Sequence, residues 1–95
     1  MKIIGCTLTP FEGSRAFTEK GEAARAVVNQ WIRTSAAFDA VVDFDAATRD
    51  PNNPKKFREA FHAGDWLHPG DAGYEAMANA IDITIFAPKA SVKKR

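Results

Sequence analysis

Asp65-Trp66-Leu67-His68-Pro69-Gly70-Asp71-Ala72-Gly73-Tyr74 sets a carboxylate and an imidazole three positions apart on a backbone that cannot continue as helix. The ring of Pro69 crowds His68 out of the α region, so His68 belongs to an extended or turn segment with its imidazole free of the main chain. At that spacing the Asp65 carboxylate can take the Nδ1 proton, fix the tautomer and leave Nε2 as a base. The chemistry offered is the base and orienting-acid half of nucleophilic hydrolysis. The bland alternative is that Asp65 makes an Asx-turn and His68 merely precedes a helix, since short D-x-x-H patterns recur by chance. A proline, a helix start, a glycine and an aromatic packed around the pair favour a built loop over an accident.

Two other constellations could carry chemistry. His62, Asp65 and His68 follow one another at threes, and histidine and carboxylate both bind zinc. Only three ligands fall together and no Glu or Cys cluster joins them, so the reading is that there is no metal site. Cys6 could pair with His68 as a thiol nucleophile, but it lies in an apolar run, where a buried structural cysteine is the usual reading. Phe11 and Trp66 flank loops at the expected site and are candidate substrate-cleft walls, with core packing the competing reading.

The elements that must position these groups follow from hydropathy patterning. Lys2–Leu8 reads as a strand buried on both faces, and Phe11–Thr18 as a loop. From Glu19 to about Ala37, Ala23, Val27, Val28, Trp31 and Ile32 recur at helical spacing, with Glu22, Arg25, Asn29 and Arg33 opposite. That pattern puts Trp31 in the core. Ala40–Phe44 is a second β-prone run, so strand, helix and strand form a βαβ unit with parallel strands. Asp50-Pro51-Asn52-Asn53-Pro54 is a loop signal, and Lys55–His62 fits a short helix or an irregular turn. A last helix is expected from about Asp71 to Ile85, capped by Asp71 or Gly70 and followed by Pro88.

Ninety-five residues make one small domain at most. The composition, 45% hydrophobic and 26% charged, is that of an ordinary soluble protein. Thirteen Lys and Arg against twelve Asp and Glu leave a net charge of +1, which gives no electrostatic reason for a nucleic-acid partner. The basic run Lys93-Lys94-Arg95 reads as a solvated tail. One cysteine excludes an intrachain disulfide. No apolar run reaches membrane-span length, and Met1–Cys6 lacks the apolar region of a signal peptide. Localisation is therefore left open.

Two parallel strands do not make a stable sheet, because parallel sheets are covered on both faces and normally have several strands. The pattern predicts one bare strand edge and a partly bare helix face, and with them self-association.

The block Asp65-Trp66-Leu67-His68-Pro69, continuing through Asp71-Ala72-Gly73-Tyr74 and Met77-Ala78, resembles the last block of the SGNH (GDSL-type) esterases and lipases. Gly5–Phe11 is similar to the penultimate core strand of that family, and Ala26–Arg33 to the helix after it. Val41–Asp45 through Arg49-Asp50-Pro51 resembles the last strand and its exit. The resemblance spans nearly all of residues 2–86. It implies α/β architecture, part of a flavodoxin-like three-layer sandwich, with residues 1–95 as the C-terminal portion of a single domain. It implies a Ser-His-Asp hydrolase of carboxylic esters that needs no cofactor, acting on a small acyl ester of carbohydrate or lipid. His68 would be the general base and Asp65 its orienting acid.

The family's Gly-Asp-Ser block and the glycine and asparagine that complete its oxyanion hole do not appear. The serines present are Ser14, Ser35 and Ser91. Gly70 departs from the asparagine that relatives often carry. Losing one oxyanion donor alone costs roughly 10²–10³ in rate, so the isolated chain is expected to be inactive. The alternatives are a truncated non-catalytic chain and a small α/β interaction domain. An intact parent of this type would be a candidate for secretion.

Overall fold

A computed structural model describes residues 1–87. Pro88, Ser91 and the basic run at 93–95 lie outside the described residues. The elements run β1 (Ile4–Cys6), α1 (Glu19–Thr34), β2 (Ala40–Val42), α2 (Phe44–Thr48), β3 (Arg49–Asp50), β4 (Asn53–Phe57), a 3₁₀ turn (Glu59–Phe61), α3 (Asp71–Asn79) and a second 3₁₀ turn (Ile83–Phe86).

β1 and β2 pair in parallel, with Ile4 opposite Ala40, Gly5 opposite Val41 and Cys6 opposite Val42. This is the expected βαβ unit. Asp39 closes its near end: its carboxylate accepts from the Ile3 amide at 2.7 Å and its amide donates to the Ile3 carbonyl at 2.8 Å. Gly5 is required in β1, because a Cβ there would stand 2.6 Å from the Phe38 ring. Phe38 in turn meets Trp31 edge-on at 5.5 Å.

α1 starts where the sequence places it, with the Thr18 hydroxyl accepting from the Gly21 amide. Its orientation differs from the expected one. Arg25, Asn29 and Ile32 are buried, whereas Val27, Val28 and Trp31 are exposed. Trp31 is therefore not a core residue. The polar side turns inward because the loop after β1 and the turn after β2 offer it partners. The Asn29 carboxamide both donates to the Leu8 carbonyl (2.9 Å) and accepts from the Leu8 amide (2.7 Å). Arg25 reaches Asp45 at 2.6 Å, Glu22 at 2.9 Å and the carbonyls of Leu8 and Pro54.

Three elements, α2, β3 and β4, depart from the sequence pattern. Asp43 caps a short helix, α2, by accepting from the Ala46 amide. β3 and β4 form an antiparallel hairpin where loop and short helix or irregular turn were expected. The last helix is also shorter than expected. It ends at Asn79, and Asp82 caps a separate 3₁₀ turn by accepting from the Thr84 amide and hydroxyl. Gly70, not Asp71, is the N-cap of α3.

The architecture is thus a partial α/β fold. Among the described residues its buried apolar side chains are few (Pro10, Ile32, Val42 and Phe57), and they share the interior with Thr7, Arg25, Asn29, Asp45 and Thr48.

Candidate active site

The segment from Phe61 to Gly70 is a loop tied at its neck. His62 and Pro69 form an antiparallel bridge, the Ala63 amide donates to the His68 carbonyl (2.8 Å), and the Gly70 amide donates to the Phe61 carbonyl (2.8 Å). Between these ties the chain turns through two residues with positive φ, Gly64 at 117° and Trp66 at 58°. Glycine accepts the first at no steric cost. The second holds a bulky residue in the left-handed region, which persists only where the surroundings over-determine it.

Asp65 organises the tip. Its Oδ1 accepts from the amides of Leu67 (3.0 Å) and His68 (2.9 Å), and its Oδ2 accepts from His68 Nδ1 at 2.6 Å. The Asx-turn and the imidazole contact are thus two halves of one carboxylate. The hydrogen bond from the His68 ring, followed by those from the His68 and Leu67 amides, holds the Asp65 carboxyl well below the usual carboxylate range. A carboxylate accepts only, so Nδ1 is the donor and Nε2 carries the lone pair. His68 is 67% exposed and its Nε2 has no partner in the described residues, so it is open to a substrate or a second group.

No serine of the described residues meets it. Ser14 Oγ is buried without a hydrogen-bond partner, and Ser35 Oγ accepts from the Ala37 amide. Cys6 is exposed rather than buried, because no described residue covers its side of the two-stranded sheet. No three His, Cys, Asp or Glu among the described residues are placed to hold a metal. His62 is instead engaged within the loop: its Nδ1 accepts from the amides of Gly64 and Trp66. The spacing of threes suggests a ligand at His62; the contacts make it an acceptor for backbone amides.

Of the two aromatic candidates, Phe11 lies on an apolar cavity of about 330 Å³, with Leu8, Thr9, Gly21, Ala24, Val28 and Leu67 among its walls. Leu8 and Thr9 follow β1, so the cavity opens at the carboxyl end of that strand, where α/β folds place their ligands. Leu67 directly precedes His68 and brings the dyad loop to this cavity. Trp66 is half-buried and lies elsewhere, stacked on His62 at 3.7 Å with Lys56 Nζ 4.4 Å from its ring. A larger hollow of about 590 Å³ lies between Arg49, Pro51, Pro54, Arg58 and Phe61; Asp65 and His68 line neither cavity, and the smaller one meets their loop at Leu67.

Behind the site a charged network fixes the strand ends. The Thr7 hydroxyl donates to Asp43 and accepts from the Asp45 amide. Arg33 bridges Asp43 and Asp45, and Arg49 adds a third guanidinium to Asp45. The Arg33 hydrogen bond, partly opposed by burial, keeps the Asp43 carboxyl well below its ordinary range.

A scan against protein-family models matches residues 1–76 to the GDSL-like Lipase/Acylhydrolase family. The match covers most of the chain and includes both Asp65 and His68. The chain belongs to this hydrolase family, whose substrates are esters. A search of curated proteins returns no match. No helix of the described residues is long and apolar enough to cross a membrane.

Proposed function

We propose that this chain supplies the base and orienting acid of a serine esterase, and that residues 1–95 are the C-terminal portion of the catalytic domain. The observation that carries this reading is the 2.6 Å contact between Asp65 Oδ2 and His68 Nδ1, with Nε2 left open. In the assembled site, His68 Nε2 takes the proton of a serine hydroxyl as its oxygen attacks the ester carbonyl. It then gives that proton to the departing alkoxide oxygen. Asp65 stabilises the imidazolium in between. Phe11, Leu8 and Leu67 offer an apolar wall for the acyl side. Trp66 serves the loop rather than the cleft.

The nucleophile and the oxyanion donors come from a Gly-Asp-Ser-bearing partner segment. The exposed apolar residues of α1 and the uncovered side of Cys6 support such a partner. The test joins this chain to the N-terminal half of a family member and measures hydrolysis of short p-nitrophenyl esters. The joined protein is expected to turn over and the chain alone to stay at background. His68→Ala should lower kcat by a factor on the order of 10⁶. Activity that survives His68→Ala would remove His68 from the mechanism.

The second reading is a non-catalytic interaction domain, favoured by the few buried apolar side chains and the large apolar ones left outside. A joined protein that folds but never hydrolyses esters would select it.

A further inference from the structure

We infer that His62 is a positioning residue for the Asp65–His68 pair, acting as a neutral imidazole whose Nδ1 lone pair holds the loop in its working shape. The functional meaning of this inference rests on the esterase reading; the structural claim does not.

The tip of the loop depends on the backbone turning at Gly64 and at Trp66, and at both points the amide is directed at the same atom. The Gly64 amide reaches His62 Nδ1 at 3.0 Å and the Trp66 amide reaches it at 3.2 Å. A nitrogen that accepts from two N–H groups carries no proton of its own, so the ring proton of His62 is on Nε2. His68 is the reverse: its Nδ1 donates to Asp65 and its Nε2 is bare. Two histidines six residues apart are thus held in opposite tautomers, each fixed by what its Nδ1 touches.

The rest of the packing keeps the acceptor in place. The His62 ring stacks on the Trp66 indole at 3.7 Å and 20° between planes. Lys56 Nζ sits 4.4 Å from the centre of that indole, within cation–π range. Gly13 approaches the same indole so closely that a Cβ there would lie 3.0 Å from its Cγ. Trp66 is therefore held in the left-handed region by its side chain and by its amide together. Its peptide geometry sets the direction of the next two amides, Leu67 and His68, which both point at Asp65 Oδ1. Losing the acceptor at residue 62 frees Trp66 to relax, and the amides that orient the Asp65 carboxylate move with it. The base then loses its fixed tautomer without any change at Asp65 or His68.

Two substitutions separate the acceptor from the stack. His62→Asn keeps an oxygen close to the place of Nδ1 and removes the aromatic contact. His62→Phe keeps the stack and removes the acceptor. The experiment is long-range ¹H–¹⁵N correlation spectroscopy of the histidine rings at neutral pH, with amide exchange at Gly64 and Trp66, on the 95-residue chain. In the wild type, His62 is expected to show a lone-pair Nδ1 and a protonated Nε2, and His68 the opposite pattern. His62→Asn should preserve the His68 pattern. His62→Phe should convert His68 to a mixture of tautomers and speed exchange at Trp66 by roughly tenfold or more.

A protonated Nδ1 on wild-type His62 overturns the inference. So does a His68 pattern unchanged in His62→Phe or lost in His62→Asn. If His62→Phe does not fold, the wild-type tautomers and His62→Asn still decide. None of these readouts involves ester hydrolysis, so failure of the esterase reading leaves them standing and is recognised separately by His68→Ala in the joined protein.

Discussion

Asp65 Oδ1 satisfies two amides while Oδ2 binds an imidazole, so replacing the carboxylate by a carboxamide cannot preserve all three contacts. In Asp65→Asn one side of the amide group carries N–H donors. If the carbonyl stays on the Leu67 and His68 amides, an NH₂ faces Nδ1 and forces the other tautomer, with Nε2 protonated and useless as a base. The joined esterase should then lose a factor on the order of 10⁴ in kcat while substrate binding changes little; an equal loss confined to KM would contradict the assignment. The same contacts make a pH prediction. Because the folded carboxyl of Asp65 lies below its ordinary value of 3.8, its stabilising contribution is complete above that pH. The contribution fades as the pH falls below 3.8 toward the folded pKa. Carboxyl ¹³C titration should find Asp65 still ionised below pH 3.8, and His68→Ala should bring its midpoint back up. The dyad was legible in the sequence because it is local: three residues of spacing and a following proline nearly determine the contact. The role of His62 was not, since nothing in a spacing of threes distinguishes a ligand from an acceptor for backbone amides.

At the scale of elements, α1 shows why a correct helix can be turned the wrong way. Its apolar stripe is real, and Ile32 is buried, but Arg25 and Asn29 are buried too because the main chain after β1 ends in unpaired groups that only polar side chains can meet. Periodicity reports which residues share a face, not what the opposite layer presents. Asn29 is the sharpest case, taking both the amide and the carbonyl of Leu8. Asn29→Ala strands the Leu8 amide, while the Leu8 carbonyl keeps its Arg25 donor; one backbone group left unpaired should lower stability by about 1–3 kcal/mol. Urea denaturation with an unchanged m-value would measure it; a change under 0.5 kcal/mol would mean that water replaces the carboxamide. The hairpin is hidden in the sequence for a related reason. Pro54 lies inside β4, and a proline normally argues against a strand because it donates nothing to the ladder. Ile81 and Ile85 continue the apolar period of α3 past its end, yet Asp82 and Thr84 hydrogen-bond to each other and to the backbone in competition with the helix. Where α3 does run, Gly73 is buried against the Phe61 carbonyl and has no room for a Cβ. Gly73→Ala should therefore cost about 1–3 kcal/mol despite alanine's better helix propensity, with thermal unfolding as the check.

For the whole molecule, the balance between inside and outside is inverted relative to a self-sufficient domain. Val27 is 69% exposed and Trp31 53% exposed, and one helical turn separates them, so they form a continuous apolar strip along the outer side of α1. Burying apolar area yields roughly 25 cal/mol per Å², and a strip of this kind left in water drives association with whatever apolar surface is available. In the esterase reading that surface belongs to the segment bringing the serine; without it, other copies of the chain are the nearest substitute. Sedimentation velocity should therefore show the average mass rising with concentration. A Val27→Lys, Trp31→Lys double variant should stay monomeric. Its fold should survive, since Arg25, Asn29 and Ile32 hold α1 from the opposite side, though the edge contact of Trp31 with Phe38 is lost. The same variant, joined to a serine-bearing half, should dock poorly and lose activity even with Asp65 and His68 untouched. A wild-type chain that remains monomeric at high concentration, or a double variant that is fully active when joined, would place the partner surface somewhere other than α1.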